Sequence, residues 1–275
     1  MYEELPWNFE AFRRFITYEA LQQAAAALLL HDGQPLFTDP ALMEQFSNRL
    51  NLKTGLDWLP NRLVSEGVLY NVEGDVFRNK ARVLTSFYLI DPICLESNSP
   101  LKITEFGRAL ALGFISRREF YEEIFRRFEY PHPAYDENWE AWTRAGVRIK
   151  PLAFFLKILT ELYLLDGQGY ISTSELAEHA HPKPFMNLAP EIASSIHEHR
   201  MKDKTIERTR SDKVDRKIND ILAFMSISEF TFYRGSTVCL NLMDIHREEG
   251  TLFWESRNGQ ERLSEIIQFI RGAEE

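Results

Sequence analysis

Apolar residues recur at helical spacing along most of the chain. Over residues 8–30, Phe12, Phe15, Ile16 and Leu21 lie near one face and an alanine-rich second half follows, which predicts a long helix. A second helix is expected after Asp39-Pro40, with Pro40 in its first turn and Leu42, Met43, Phe46 and Leu50 on one side. From Phe77 to Tyr88 the apolar positions Phe77, Ala81, Leu84 and Tyr88 again keep helical spacing, leaving Arg78, Arg82 and Thr85 outward. The pattern then changes. An apolar segment, Leu89 to Leu95, is followed by the turn-rich Glu96-Ser97-Asn98-Ser99-Pro100 and by Leu101-Lys102-Ile103, which together predict a β-hairpin after the helix.

Helix starts are marked by paired caps. Ser116 with Glu119, and Ser172 with Glu175, each have the spacing of a capping box, in which the hydroxyl accepts from the N3 amide and the glutamate reaches back. Tyr130-Pro131-His132-Pro133 closes one helix and opens a polar, tryptophan-containing loop to about Arg148. Pro151 to Leu165 is almost continuously apolar and predicts a helix buried on several sides.

The second half repeats the outline of the first. A helix from Asp212 to Ser226 turns Val214, Ile218, Ile221, Leu222 and Met225 inward, and the β-rich runs Phe230 to Tyr233 and Thr237 to Leu242 flank the turn Arg234-Gly235-Ser236. A closing helix, Glu261 to Arg271, presents Leu263, Ile266, Ile267 and Ile270. Helix followed by hairpin, twice, is the winged-helix order. The expected fold is therefore mainly α (α+β), with two winged-helix-like subdomains, residues 1–135 and 136–275, each carrying a small β-hairpin wing.

Composition narrows the function classes. With 275 residues, 44% hydrophobic and 27% charged, the chain can bury a substantial core. Its longest apolar runs fall well short of a bilayer span, the first residues Met1-Tyr2-Glu3-Glu4 do not resemble a secretory signal, and two cysteines, Cys94 and Cys239, cannot build a disulfide framework. A cytoplasmic protein with no membrane partner is expected. The net charge of -9 argues against a uniformly nucleic-acid-coated surface, yet residues 200–217 carry +4 against -13 for the remainder. Positive field is thus local.

A helix that enters the major groove needs Arg, Lys or Asn projecting toward base edges and phosphates. Arg78, Lys80 and Arg82 on the first pre-hairpin helix, and Lys213, Arg216, Lys217 and Asn219 on the second, supply that requirement. Solvated helix faces carry such residues too. Two of them, each placed before a hairpin, strengthen the DNA reading.

Other chemistries find less support. Asp244 with Glu255-Ser256-Arg257 has the crude form of a PD-(D/E)XK metal site, but arginine replaces the usual lysine and the interval from Ile245 to Gly250 reads as polar loop. His179 with His181, and His197 with His199, are pairs that could ligate zinc, although a closed site wants four ligands and no cysteine lies near them in sequence. No phosphate-binding glycine loop or nucleophile-elbow motif occurs, so no cofactor is expected.

Three stretches carry a family resemblance: Arg78-Asn79-Lys80-Ala81-Arg82-Val83-Leu84, then Leu101-Lys102-Ile103-Thr104-Glu105-Phe106-Gly107-Arg108-Ala109-Leu110, then Phe128-Glu129-Tyr130-Pro131. In that order and spacing they resemble the recognition region of AlwI-type type IIS restriction and nicking endonucleases. Pro151 to Leu159 and the basic helix from Lys213 extend the likeness. The resemblance implies two winged-helix-like subdomains that read an asymmetric site in double-stranded DNA, joined in that family to a separate PD-(D/E)XK nuclease domain. This chain stops at Glu275, where the linker would begin, so recognition without cleavage is expected. The function expected is a DNA-recognition subunit of a restriction or phage-defence system, not itself an enzyme, acting with a nuclease or ATPase partner chain. Two alternatives are a scaffold using the aromatic loop Tyr135 to Trp142 as its interface, and a nuclease whose site has not been recognised.

Overall fold

A computed structural model describes residues 18–36, 38–39, 41–42, 45–46, 84–95, 99–132, 141–202, 218–219, 221–222, 225–243, 245–248, 251–254 and 259–274, the backbone alone for 245–248 and 251–254. The described residues are mostly helical, with a small three-stranded antiparallel sheet and a separate two-stranded ladder. The chain forms two compact units. One comprises Arg14–Ile124 with His132–Asp136, and the other Met1–Arg13, Phe125–Pro131 and Glu137–Glu275. They are called the N-terminal and C-terminal units below.

In the N-terminal unit, helix α1 (Tyr18–Leu29) buries Leu21, Ala24, Ala25, Ala27 and Leu28, the alanines letting it pack closely against α2 (Glu105–Ala111). Asp39 caps the next helical stretch, its Oδ1 accepting from Ala41 N at 2.9 Å and Leu42 N at 3.2 Å. Helix α3 (Arg117–Arg127) starts at the expected capping box, Ser116 N donating to Glu119 at 2.8 Å and Glu119 N to Ser116 Oγ at 3.3 Å. Its Phe120 is fully buried and meets the rings of Tyr18, Phe87, Phe106 and Tyr121 at 5.2–5.9 Å.

Two expectations for this unit fail. Thr85 does not face outward: Leu84, Thr85, Ser86 and Phe87 are 5%, 2%, 0% and 1% exposed, so this end of the helix is enclosed on every side. Among the described residues the hairpin is reduced to one antiparallel bridge, Ile90↔Ile103. Pro92 lacks a donor, and Asp91 Oδ1 accepts from Ile93 N at 3.1 Å, which turns the chain into a 3-10 helix, Pro92–Leu95. Leu101 pairs elsewhere, donating to Gln34 O and accepting from Gly33 N, both at 2.8 Å.

The C-terminal unit is built around α4 (Pro151–Asp166). Pro151 sits at its first turn, Gly167 closes it in a left-handed conformation, and ten of its side chains are buried, as the nearly continuous apolar run requires. Strand β1 (Tyr170–Ser172) follows and runs directly into α5 (Thr173–Glu175) through the second expected capping box, then into a π-helical turn, Leu176–Ala180. Helix α6 (Ala189–Met201) and the closing helix α7 (Gly259–Glu274) both pack on α4. Strands β2 (Thr231–Arg234) and β3 (Thr237–Leu240) form the predicted hairpin, with Arg234 opposite Thr237 and Gly235 at φ 61° in the turn. Strand β1 pairs with β3, so the sheet order is β1-β3-β2.

Two further corrections lie here. The polar loop before Arg148 contains helical residues 141–144, and Trp142 is 2% exposed with its ring 4.7 Å from Tyr130. That burial removes Trp142 from any exposed docking surface. The interval after Asp244 is not loop: β4 (Ile245–Glu248) and β5 (Thr251–Trp254) form a four-pair antiparallel ladder, consistent with the apolar and β-branched content of Thr251 to Trp254.

Candidate nucleic-acid interface

The second predicted reading helix can be followed at residues 218–219, 221–222 and 225. Ile218, Ile221, Leu222 and Met225 are all at most 3% exposed, which fixes the inward face as the helical period requires. Asn219, one residue beyond Ile218, is exposed. Arg78, Lys80, Arg82, Lys213, Arg216 and Lys217 lie outside the described residues, as do Asp244, Glu255 and Arg257.

The helix is tied to the hairpin by a buried polar cluster. Thr231 Oγ1 donates to Met225 O, Phe230 N donates to Ser228 Oγ at 3.1 Å, and Asn241 Nδ2, itself fully buried, donates to Glu229 O at 2.8 Å. Arg262 of α7, only 2% exposed, donates to that same carbonyl at 3.0 Å, pairs with Glu265 at 2.6 Å, and lies 4.9 Å over the Phe230 ring. A guanidinium thus holds the start of β2. Helix and hairpin are locked together from three directions.

The hairpin tip presents Tyr233, Arg234, Gly235 and Ser236 to solvent. Arg234 carries no ion pair among the described residues, and a cation on a free tip is available for a phosphate. Turn chemistry alone marks Arg234-Gly235-Ser236 in the sequence and does not single out Arg234. A basic residue beside the turn glycine, with β-rich flanks, was the available signal.

The basic run weakens at its start. Arg200 clamps Glu175 in two bonds of 2.6 and 3.1 Å, donates to Tyr170 O at 2.7 Å, and stacks 4.0 Å over the Tyr170 ring. Burial pushes the Glu175 carboxyl up, but Arg200 and the Ser172 cap more than offset this and leave its pKa lowered. Lys202 pairs with Glu198 at 3.2 Å. These two cations are engaged within the protein, so residues 200–202 add little free positive field.

The two histidine pairs regroup in space. His197 Nδ1 lies 3.0 Å from Asp166, and His179 lies against His199 with ring centroids 5.3 Å apart and Glu178 beside them. Burial holds the His179 imidazole below its usual range, with Glu178 opposing and His199 adding to the effect.

No family model and no curated protein matches the chain. Among solved structures it resembles a crystal structure of pyrene- and phenanthrene-modified DNA in complex with the BpuJ1 endonuclease binding domain. The likeness covers 83% of this chain and 73% of that one, with a TM-score of 0.57 and 14% identity. The shared feature is the fold, which is that of an endonuclease binding domain seen with DNA. The finer resemblance to AlwI-type enzymes rests on the sequence motifs alone. Among the described residues no helix is long and apolar enough to cross a membrane.

Proposed function

We propose that this chain is the double-stranded-DNA recognition subunit of a restriction or phage-defence system, working with a separate nuclease or ATPase chain. The observation that carries the reading is the C-terminal unit's order of α4, β1, α5, α6, the helix ending at Met225, and the β2–β3 hairpin, with β1 paired to β3. Apart from the additional helix α6, a helix followed by a hairpin matches the order of a winged-helix reader. It sets a helix with exposed Asn219 beside a wing with exposed Arg234. The fold likeness to a DNA-binding endonuclease domain supports the same reading, although fold alone does not carry function.

In this reading Arg78, Lys80 and Arg82, with Lys213, Arg216, Lys217 and Asn219, supply the groove contacts. Mixed-sequence duplex DNA should bind with micromolar or tighter affinity at low salt, as measured by fluorescence anisotropy, and affinity should fall steeply as salt rises. Arg82→Ala and Arg216→Ala should each cost about 1–3 kcal/mol where the arginine meets a base edge, while Arg13→Ala and Arg117→Ala leave binding nearly unchanged. Absence of binding at low salt, with or without a partner chain, overturns the proposal. The chain itself is read as non-catalytic. Magnesium- or manganese-dependent nicking that Glu255→Ala abolishes would establish the opposite.

A further inference from the structure

We propose that Glu178, His179 and His199 form a binding site for one zinc-type transition-metal dication. Each residue offers a ligand atom, and these atoms lie within 4.8 Å of one another. Two imidazoles that share a tetrahedral ion, with metal–nitrogen bonds of about 2.0–2.1 Å, place their ring centroids roughly 5 Å apart. The observed separation is 5.3 Å, so the rings already stand where a shared ion would hold them. Shifts of under about 1 Å would bring the ligand atoms to bonding distance.

A second observation points to the same place. His179 Nε2 is buried and has no hydrogen-bond partner among the described residues. A buried imidazole nitrogen without a partner is costly, and a metal ion is one of the few groups that would relieve it. Neighbouring groups do not compete. Glu175 is committed to Arg200 and to Ser172 N, and Lys183 to Glu191 at 2.8 Å.

The donor set identifies the class of ion. Two imidazole nitrogens and one carboxylate suit zinc, cobalt or nickel, whereas magnesium and calcium prefer oxygen throughout. Glu178 is exposed, so a water molecule can complete the coordination. Glu178 and His179 lie in the π-helical turn Leu176–Ala180, a form of helix common at functional sites, and His199 lies near the end of α6. A bound ion would therefore pin that turn to α6 just before the chain enters its basic segment. This inference does not depend on DNA binding, and each can fail without the other.

The full chain, stripped with a chelator, is titrated with zinc by calorimetry and with cobalt by visible absorption. The expected result is one ion per chain, the intense absorption of four-coordinate cobalt, and a zinc-dependent rise in melting temperature that magnesium does not reproduce. His179→Gln and His199→Gln should each weaken binding at least about 100-fold, above the range typical of losing a group that only orients a ligand. His197→Gln, whose partner is Asp166, should leave affinity unchanged. Should His179→Gln fail to fold, His199→Gln and the exposed Glu178→Gln carry the comparison. Failure of the wild-type chain to bind zinc one to one, or binding that survives the ligand substitutions, overturns the proposal.

Discussion

The helix-and-hairpin region of the N-terminal unit and that of the C-terminal unit share a sequence outline but differ in the residues the structure describes. In the C-terminal unit, Ile218 is buried beside an exposed Asn219, and the hairpin keeps four paired positions from Thr231↔Leu240 to Arg234↔Thr237. In the N-terminal unit all four residues from Leu84 to Phe87 are buried, and among the described residues a single bridge stands where a wing was expected. The turn residues explain the contrast. Gly235 adopts the positive φ that a tight hairpin needs, whereas Asp91-Pro92 starts a helical turn and withholds a donor from the ladder. Among the described residues, an exposed helix position beside a paired hairpin is seen in the C-terminal unit at Asn219.

The largest expected effect tests what holds that wing. Removing the Arg262 side chain leaves Glu229 and Glu265 without their buried cation and the Phe230 ring uncovered, so Arg262→Ala should destabilise the protein by about 3–5 kcal/mol in urea denaturation. Arg262→Met, which refills the volume with an apolar chain, should cost less. Equal losses would mean that the charge and its hydrogen bonds, and not packing, anchor the hairpin.

Acid should separate the two units. His132 in the N-terminal unit is buried, and burial lowers its pKa from 6.5 to about 4. Between those values the unfolded chain binds a proton that the folded chain refuses. Stability is therefore full above pH 6.5 and falls as pH drops toward 4, by about 3 kcal/mol at about 1.4 kcal/mol per pH unit. Glu175 in the C-terminal unit has a lowered pKa, so its contribution is present above 4.5 and is lost only as pH falls below that value. Denaturation midpoints measured across pH 7 to 3 check this, and His132→Leu should flatten the upper part of the decline. An unchanged profile for His132→Leu would refute the assignment.

Much of the C-terminal unit was legible because local signals agreed there. The apolar run of α4, both halves of the Ser172 and Glu175 capping box, the inward series Ile218, Ile221, Leu222 and Met225, and the turn glycine all point to one structure. What was not legible depends on long-range contacts. Periodicity set Thr85 outward, but its burial is decided by what covers the helix end. The polar loop pattern around Trp142 predicts exposure, but its edge-to-face contact with Tyr130 is made across sequence-distant segments. Arg262 carried no sequence mark of burial, and His179 and His199 met across two helices despite falling in different sequence pairs. Of the predicted contact residues the structure describes Asn219, and it adds an exposed cation, Arg234, at a turn the sequence marks by its glycine.

The N-terminal bridge can be challenged in turn. A Cβ at Gly107 would lie 2.3 Å from Leu89 O, next to the Ile90↔Ile103 bridge, and 3.0 Å from Cγ1 of the bridge residue Ile103. The backbone oxygen cannot swing away as a flexible side chain could. Gly107→Ala should cost about 1–3 kcal/mol of stability through overpacking. Gly259→Ala, where the nearest atom is 3.8 Å away, is the matched control in the C-terminal unit and should change stability much less. If both are neutral, the close approach of α2 to residue 89 is not a constraint on the N-terminal unit.

The smallest effect bears most directly on which unit meets DNA. Arg234 stands on the exposed hairpin tip, and if it contacts a phosphate its loss should lower affinity by less than about 1 kcal/mol while reducing the salt slope by about 1, equally for all sequences. Arg118, paired with Glu122 at 2.8 Å on α3 of the N-terminal unit, has no comparable freedom, and Arg118→Ala should leave both quantities unchanged. Anisotropy titrations of the two variants at three or more salt concentrations resolve the slopes. A reduced slope for Arg234→Ala alone would place the wing of the C-terminal unit on the DNA backbone. Identical slopes for both variants would remove that wing from the interface, and the case for DNA contact would then rest on the helix faces, where base-edge contacts make the cost depend on sequence.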